Sequence, residues 1–156
     1  MPHAIVGALA CLAIALVAFL SAGAFAQSRS PAAPTTYHVA PGGSDGASGL
    51  PGAPWASLSK AWLVVRPGDV VIVADGTYDR ASPPAELAGD PDRPITFRAS
   101  RPGGARLDGL IFKGNAYLVF EGFRIDGDKG AVGVMSAGRG KPSHHLTFRQ
   151  IACVAV

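Results

Sequence analysis

The sequence is poor in several things at once. Only 2 of its 156 residues are cysteine, 8% are aromatic and 16% are charged. Asn115 is the single asparagine, so no ladder of interior asparagines can form. Residues 1–28 contain no Lys, Arg, Asp or Glu; all 14 basic and 11 acidic side chains lie beyond them. The net charge of +3 is too small to argue for a nucleic-acid partner. No Ser-His-Asp order, nucleotide-binding glycine loop or zinc-ligand spacing occurs. No strict Gly-X-Y period is present, which excludes collagen. The 20 Gly and 13 Pro exclude a helical bundle or coiled coil. One domain is the expectation at this length.

What is present begins with an apolar run from Ala4 to Leu20, followed by small residues and Ala24-Phe25-Ala26. This predicts a signal peptide over 1–26, cleaved after Ala26, and a secreted or periplasmic destination. A retained membrane anchor is the competing reading, but a spanning helix wants about 20 apolar residues with basic flanks. Met1-Pro2-His3 carries neither Lys nor Arg. Cleavage removes Cys11 and leaves Cys153 alone, so the core must hold without an intrachain disulfide. No stable membrane insertion is expected once the signal is gone. Residues 27–36, rich in Ser, Pro, Ala and Thr, read as a flexible lead-in.

The remainder, 37–156, reads as short strands between turns. Trp55, Leu58, Trp62 and Val65 are spaced for one face of a helix over 57–65, with Ser57 as its N-cap and Pro67-Gly68 beyond its end. The two tryptophans are expected in the core rather than as a sugar platform. After Val65 no helical period of useful length appears. Val70 to Ala74 is an apolar run, and Ile95-Thr96-Phe97-Arg98-Ala99 alternates. So do Leu118-Val119-Phe120-Glu121 and Leu146-Thr147-Phe148-Arg149.

These last three segments align with one another, and Phe123 and Ile125 align with Ile151 and Cys153. Repeats at such periods signal stacked coils, each burying its face on its neighbours; an antiparallel sandwich would give the same alternation. Stacking predicts an inner column of Ile95, Leu118 and Leu146 with Phe97, Phe120 and Phe148 beside it. It also predicts an outer column of Arg98, Glu121 and Arg149. Cys153 falls on the inner side and is expected to be a small buried hydrophobe.

Tyr37-His38-Val39-Ala40-Pro41-Gly42-Gly43-Ser44-Asp45 resembles the entry segment of secreted right-handed parallel β-helix proteins. So, in order, do Ala53-Pro54-Trp55-Ala56-Ser57-Leu58, Arg66-Pro67-Gly68-Asp69-Val70-Val71-Ile72-Val73, Asp75-Gly76-Thr77-Tyr78, Arg93-Pro94-Ile95-Thr96-Phe97-Arg98-Ala99, Leu107-Asp108-Gly109 and Glu121-Gly122-Phe123-Arg124-Ile125. Together these resemble the pectate-lyase-like superfamily, especially the polysaccharide lyase branches acting on pectate, alginate or chondroitin. The resemblance runs from about Tyr37 to Ile151. It implies an all-β fold, a right-handed parallel β-helix with a short N-terminal capping α-helix over 57–65. Members run many coils with their catalytic residues in the middle ones. This chain ends mid-strand by pattern, so it is expected to be truncated at its C-terminus, with the catalytic residues beyond Val156. A full-length, capped protein is expected to be a monomer.

The family chemistry is β-elimination on an acidic, uronate-containing polysaccharide. A cation must offset the sugar carboxylate while a base removes the weakly acidic α proton. The cation in such enzymes is Ca²⁺ or Arg/Lys. The nearest candidate for a calcium ligand set is Asp126 and Asp128, in Asp126-Gly127-Asp128-Lys129-Gly130, although the third acid and distal Glu of a calcium loop are missing. Lys129, Arg139, Lys141 and Arg149 with no intervening acid form a basic stretch that suits a polyanion. His144-His145 adjoins the last strand. Successive strand residues point to opposite faces, so the pair is expected to be a poor bidentate ligand, with one ring at most a surface base. Two other functions fit the same segments: a non-catalytic carbohydrate-binding or surface module, and a glycoside hydrolase on the same fold, which would need clustered aspartates.

Overall fold

The computed structural model describes residues 33–126, 132–135 and 141–154, the backbone alone being described over 132–135. The expected signal peptide over 1–26, Cys11, Asp128, Lys129 and Arg139 lie outside the described residues. Among those described, no helix is long and apolar enough to cross a membrane.

The chain is mostly β, with parallel sheets and one short helix. Its elements are β1 (Thr36–Val39), α1 (Leu58–Val64), β2 (Val70–Val73), β3 (Gly76–Tyr78), β4 (Ile95–Ala99), β5 (Ala105–Leu107), β6 (Leu110–Lys113), β7 (Ala116–Glu121), β8 (Arg124–Asp126), β9 (Val132–Met135), β10 (His144–Arg149) and β11 (Ala152–Val154). A first sheet has the order β1-β2-β4-β7-β10, a second β11-β8-β5-β3, and a third pairs β6 with β9. Every pairing between these strands is parallel. From β4 onward the chain visits the first, second and third sheets in that order and then returns to the first. Each return lays a strand beside the one left on the previous round.

Register turns this path into columns of like residues. Ile95 lies beside Leu118 and Leu118 beside Leu146, while Phe97, Phe120 and Phe148 run alongside. Phe97 and Phe120 stack at 5.1 Å, and Phe120 and Phe148 at 6.2 Å. Below Phe97 the column passes to Val71 and Tyr37. There the helix takes over: Trp62 packs edge-on against Phe97 at 4.5 Å. In the second sheet Tyr78, Leu107, Ile125 and Cys153 make an equivalent column. On the outside, Arg98 Nε reaches Glu121 Oε2 at 3.2 Å, and Arg149 holds the register position beyond Glu121.

The last round is less covered than the pattern predicted. Leu146 is half-buried, Phe148 is 39% exposed, and Cys153 is exposed rather than buried. Cys153 does continue the Ile125 column, but β10 and β11 are edge strands of their sheets. Among the described residues no further strand lies over them. Inward orientation and burial therefore part company at this edge.

The helix is shorter than the spacing of apolar residues suggested. Ser57 is its N-cap, with Oγ accepting from Lys60 N at 3.1 Å, and the Val65 N–H closes the last turn onto Ala61 O. Asp45 tightens this cap, accepting from Ala56 N, Ser57 N and Ser57 Oγ. The Ser57 hydroxyl above all holds the Asp45 carboxyl below its ordinary value. Trp55 is not helical. It lies in a bridge to Val39, stacked on Tyr37 at 4.7 Å, with its Nε1–H donated to Ala47 O. Both tryptophans are buried, as expected of core residues.

The corner from the first sheet to the second requires a left-handed residue. Gly122 fills it with φ +78° after β7, and Gln150 fills it with φ +51° after β10. A side chain in that conformation is strained, whereas glycine is not.

Two outcomes follow for stability. Phe120→Ala, which empties a fully buried position between five other rings, is expected to cost about 3–5 kcal/mol in urea unfolding, and Phe148→Ala at the exposed edge well under half of that. Equal losses would contradict a column anchored at its middle. Gln150→Gly is expected to raise stability by about 0.5–1 kcal/mol, because relief of left-handed strain outweighs the added freedom of the unfolded chain.

Candidate functional site

The site is built around Asn115. Between β6 and β7 the chain turns at Gly114 (φ +73°), where a Cβ would stand 2.9 Å from Lys141 O and 3.1 Å from Ala85 O. Two passing segments thus press on this turn, and only glycine fits between them. Asn115 is fully buried beside it. Its Oδ1 accepts from Lys113 N at 2.9 Å, and its Nδ2 donates to Pro84 O at 2.7 Å and Leu87 O at 3.1 Å. Ser143 Oγ accepts from Gly114 N and Asn115 N. One side chain and one hydroxyl so tie the 84–87 loop and the 141–143 segment to a single turn.

Between those segments lies a cleft of about 620 Å³. Lys113, Lys141, Tyr117 and His144 line it, with Glu86 opposite. Two ammonium groups against one carboxylate make it net positive, and the tyrosine and histidine rings add flat, polar-edged surface. The Tyr117 ring stacks on His145 at 4.7 Å and meets His144 edge-on at 5.4 Å. Tyr117 and His145 have φ of +53° and +52°. Non-glycine residues held in that region cluster at functional sites.

The expected split of His144 and His145 to opposite faces fails for this reason. The left-handed turn at His145 breaks strand alternation, and the two Nδ1 atoms come within 2.8 Å of each other.

A second groove, of about 530 Å³, runs along the outer face of the second sheet, lined by Asp75, Thr77, Arg101 and Arg106 among others. Arg106 lies in register between Thr77 and Arg124. Arg101 is tied to Asp75 through Nε at 2.6 Å and through Nη2, and Ser100 Oγ also donates to that carboxylate. The Arg101 guanidinium holds the Asp75 carboxyl below the usual range, and Asp75 in turn raises Arg101. Beneath the groove, burial, aided by the charge of Asp75, pushes Tyr78 up to about 12, and its hydroxyl donates to Ala74 O.

The calcium candidates fare differently. Asp126 Oδ1 accepts from Arg124 Nε at 2.6 Å, so its charge is already met, and Asp128 lies outside the described residues. Among the described residues no three His, Cys, Asp or Glu side chains converge. Of the basic stretch, Lys141 lines the cleft while Arg149 stands beside Glu121, away from it. Lys113 and Tyr117 were not singled out from the sequence. The signal was faint: a lone asparagine after Lys-Gly, inside an otherwise apolar β run.

No family model matches the chain, and no curated protein does. Solved structures do. A GH136 lacto-N-biosidase from Eubacterium ramulus is 15% identical, with a TM-score of 0.56 over 78% of this chain and 27% of its own. A mannuronic acid specific polysaccharide family 6 lyase from human gut microbiota is 19% identical, with a TM-score of 0.51 over 75% of this chain and 26% of its own. At these identities the likeness is one of fold. A rhamnogalacturonan lyase, 24% identical with a TM-score of 0.49, covers 59% of this chain and 28% of its own. The chain spans about a quarter of the length of each.

Asp75 offers a direct check on the second groove. Its carboxyl is expected to titrate below 3.8 by carbon-detected NMR, and Arg101→Ala is expected to raise it. Because the folded value is depressed, the pair's contribution is present above pH 3.8 and is lost as pH falls through the folded value. An unchanged titration in the variant would show that Arg101 is not the cause.

Proposed function

We propose that this chain is the N-terminal part of an exported, right-handed parallel β-helix protein of the polysaccharide lyase type, and that it binds an acidic, uronate-containing polysaccharide. The observation that carries this is the net-positive cleft held open by Asn115, with Lys113 and Lys141 on its walls and Tyr117 and His144 beside them. A uronate chain presents one carboxylate per residue and a ring face of C–H bonds. Ammonium groups meet the first and aromatic rings the second. The ordered motifs from Tyr37 to Ile151 and the fold likeness to a mannuronic acid specific lyase support the same substrate class.

In β-elimination the α proton leaves to a base and the 4-linked sugar is expelled, while cations offset the carboxylate. Lys113 and Lys141 suit the electrostatic part of that task. Binding without turnover is what we expect of this chain, because the family resemblance puts the catalytic residues on later coils. A non-catalytic module is the second reading, and the same cleft would serve it. A hydrolase is less well supported, since among the described residues Asp126 is engaged by Arg124 and has no second carboxylate beside it.

Isothermal titration with polygalacturonate, alginate and chondroitin, against neutral dextran, tests the proposal. Binding of at least one acidic glycan is expected, weakened by salt and reduced about tenfold or more in Lys113→Ala/Lys141→Ala. Equal binding of dextran, or unchanged affinity in the double variant, would sink it. Absorbance of unsaturated products is expected to stay flat; a steady rise would show that this chain is itself a lyase. Repeating the titration with EDTA tests Ca²⁺: loss of binding would bring Asp126 and Asp128 into the site.

A further inference from the structure

The two imidazoles at the cleft rim are set against each other by left-handed backbone at His145. His144 and His145 are both exposed, so neither ring is there to fill the core. They stand at 87° to each other with Nδ1 atoms 2.8 Å apart. This depends on a left-handed His145, and its cross-strand neighbour Tyr117 is left-handed too. Both lie between the register pairs Ala116–His144 and Leu118–Leu146. A left-handed non-glycine residue is strained, and here two occur side by side. Tyr117 lies nearly parallel to the His145 ring, at 15°, and fixes its plane.

We propose that His144 and His145 are the protein half of a Cu²⁺ site, ligating through both Nδ1 atoms while solvent completes the coordination. With bonds of about 2.0 Å, nitrogens on adjacent corners of a square lie about 2.8 Å apart, and on corners of a tetrahedron about 3.3 Å. The observed separation is that of the hydrogen bond between the rings and equals the spacing of the square, so the pair would reach a tetragonal ion without moving apart. Copper(II) adopts tetragonal geometry, whereas zinc prefers the tetrahedron. Without metal, one ring donates its Nδ1–H to the other. On binding, the donor ring loses that proton to solvent and takes one at Nε2, so both rings stay neutral and no net proton is released. Tyr117 is a positioning residue: it touches the imidazole, not the metal.

The full chain is titrated with Cu²⁺ and with Zn²⁺, read by visible absorption, electron paramagnetic resonance and competition. A Cu²⁺ signal with coupling from two imidazole nitrogens is expected, with Cu²⁺ held at least about tenfold more tightly than Zn²⁺. His144→Asn and His145→Asn, which keep a side chain tolerant of left-handed backbone, should each weaken that signal's binding about tenfold or more. His3→Ala and His38→Ala should leave it unchanged. Tyr117→Asn should weaken it severalfold and Tyr117→Phe should restore it, since the ring and not the hydroxyl does the positioning. A two-nitrogen signal that survives both asparagine variants at 144 and 145 would overturn the proposal. So would its absence from the parent chain, or equal affinity for zinc.

Discussion

The rest of the structure depends on one constraint: each round of chain must lay its strand parallel to the last, in register, so that the same kind of side chain recurs at the same height. Parallel strands lie about 4.8 Å apart, a spacing that stacked phenylalanine rings tolerate with slight offset. Phe97 on Phe120 at 5.1 Å shows that match. A slip of one residue would turn Ile95, Phe97 and Ala99 outward together and bring Arg98 in. The columns therefore fix the register as much as they stabilise it. Trp62 then closes the column from below, where Val71 offers no ring.

Regular register alone would give a smooth surface. The cleft exists because the chain departs from register at the corner between the third sheet and the first. There the Gly114 turn is crossed by two other segments, and their polar backbone atoms need partners that no strand supplies. The buried Asn115 side chain meets Pro84 O and Leu87 O of one segment and Lys113 N at the turn, while Ser143 Oγ ties in the other segment. Beside this corner Tyr117 and His145 take left-handed backbone, and their rings lie together. Binding surface and backbone irregularity thus have a common origin.

The two basic regions differ in how free their charge is. In the groove over the second sheet, Arg101 is committed to Asp75 and Arg124 to Asp126. In the cleft, Lys113 and Lys141 are exposed, and neither forms an ion pair among the described residues. An incoming carboxylate would have to displace Asp75 to reach Arg101, whereas Arg106 in the groove and Lys113 and Lys141 in the cleft form no ion pair among the described residues.

By itself the sequence determined the strands whose alternation is long enough to read: Ile95 to Ala99, the Leu118 to Glu121 segment and its counterpart at Leu146. It also determined their mutual alignment and the cap at Ser57. These are local or periodic properties, written in adjacent residues. It did not reveal β3, β5 or β6, which have three or four residues each, too few for a period to show. It misled at Cys153 and at His144-His145. Facing inward becomes burial only if another layer arrives, and alternation holds only while the backbone stays extended. Tertiary structure alone decided the cleft, because its walls come from Glu86, Lys113 and Lys141, distant in sequence and joined by hydrogen bonds to one asparagine that no pattern marks.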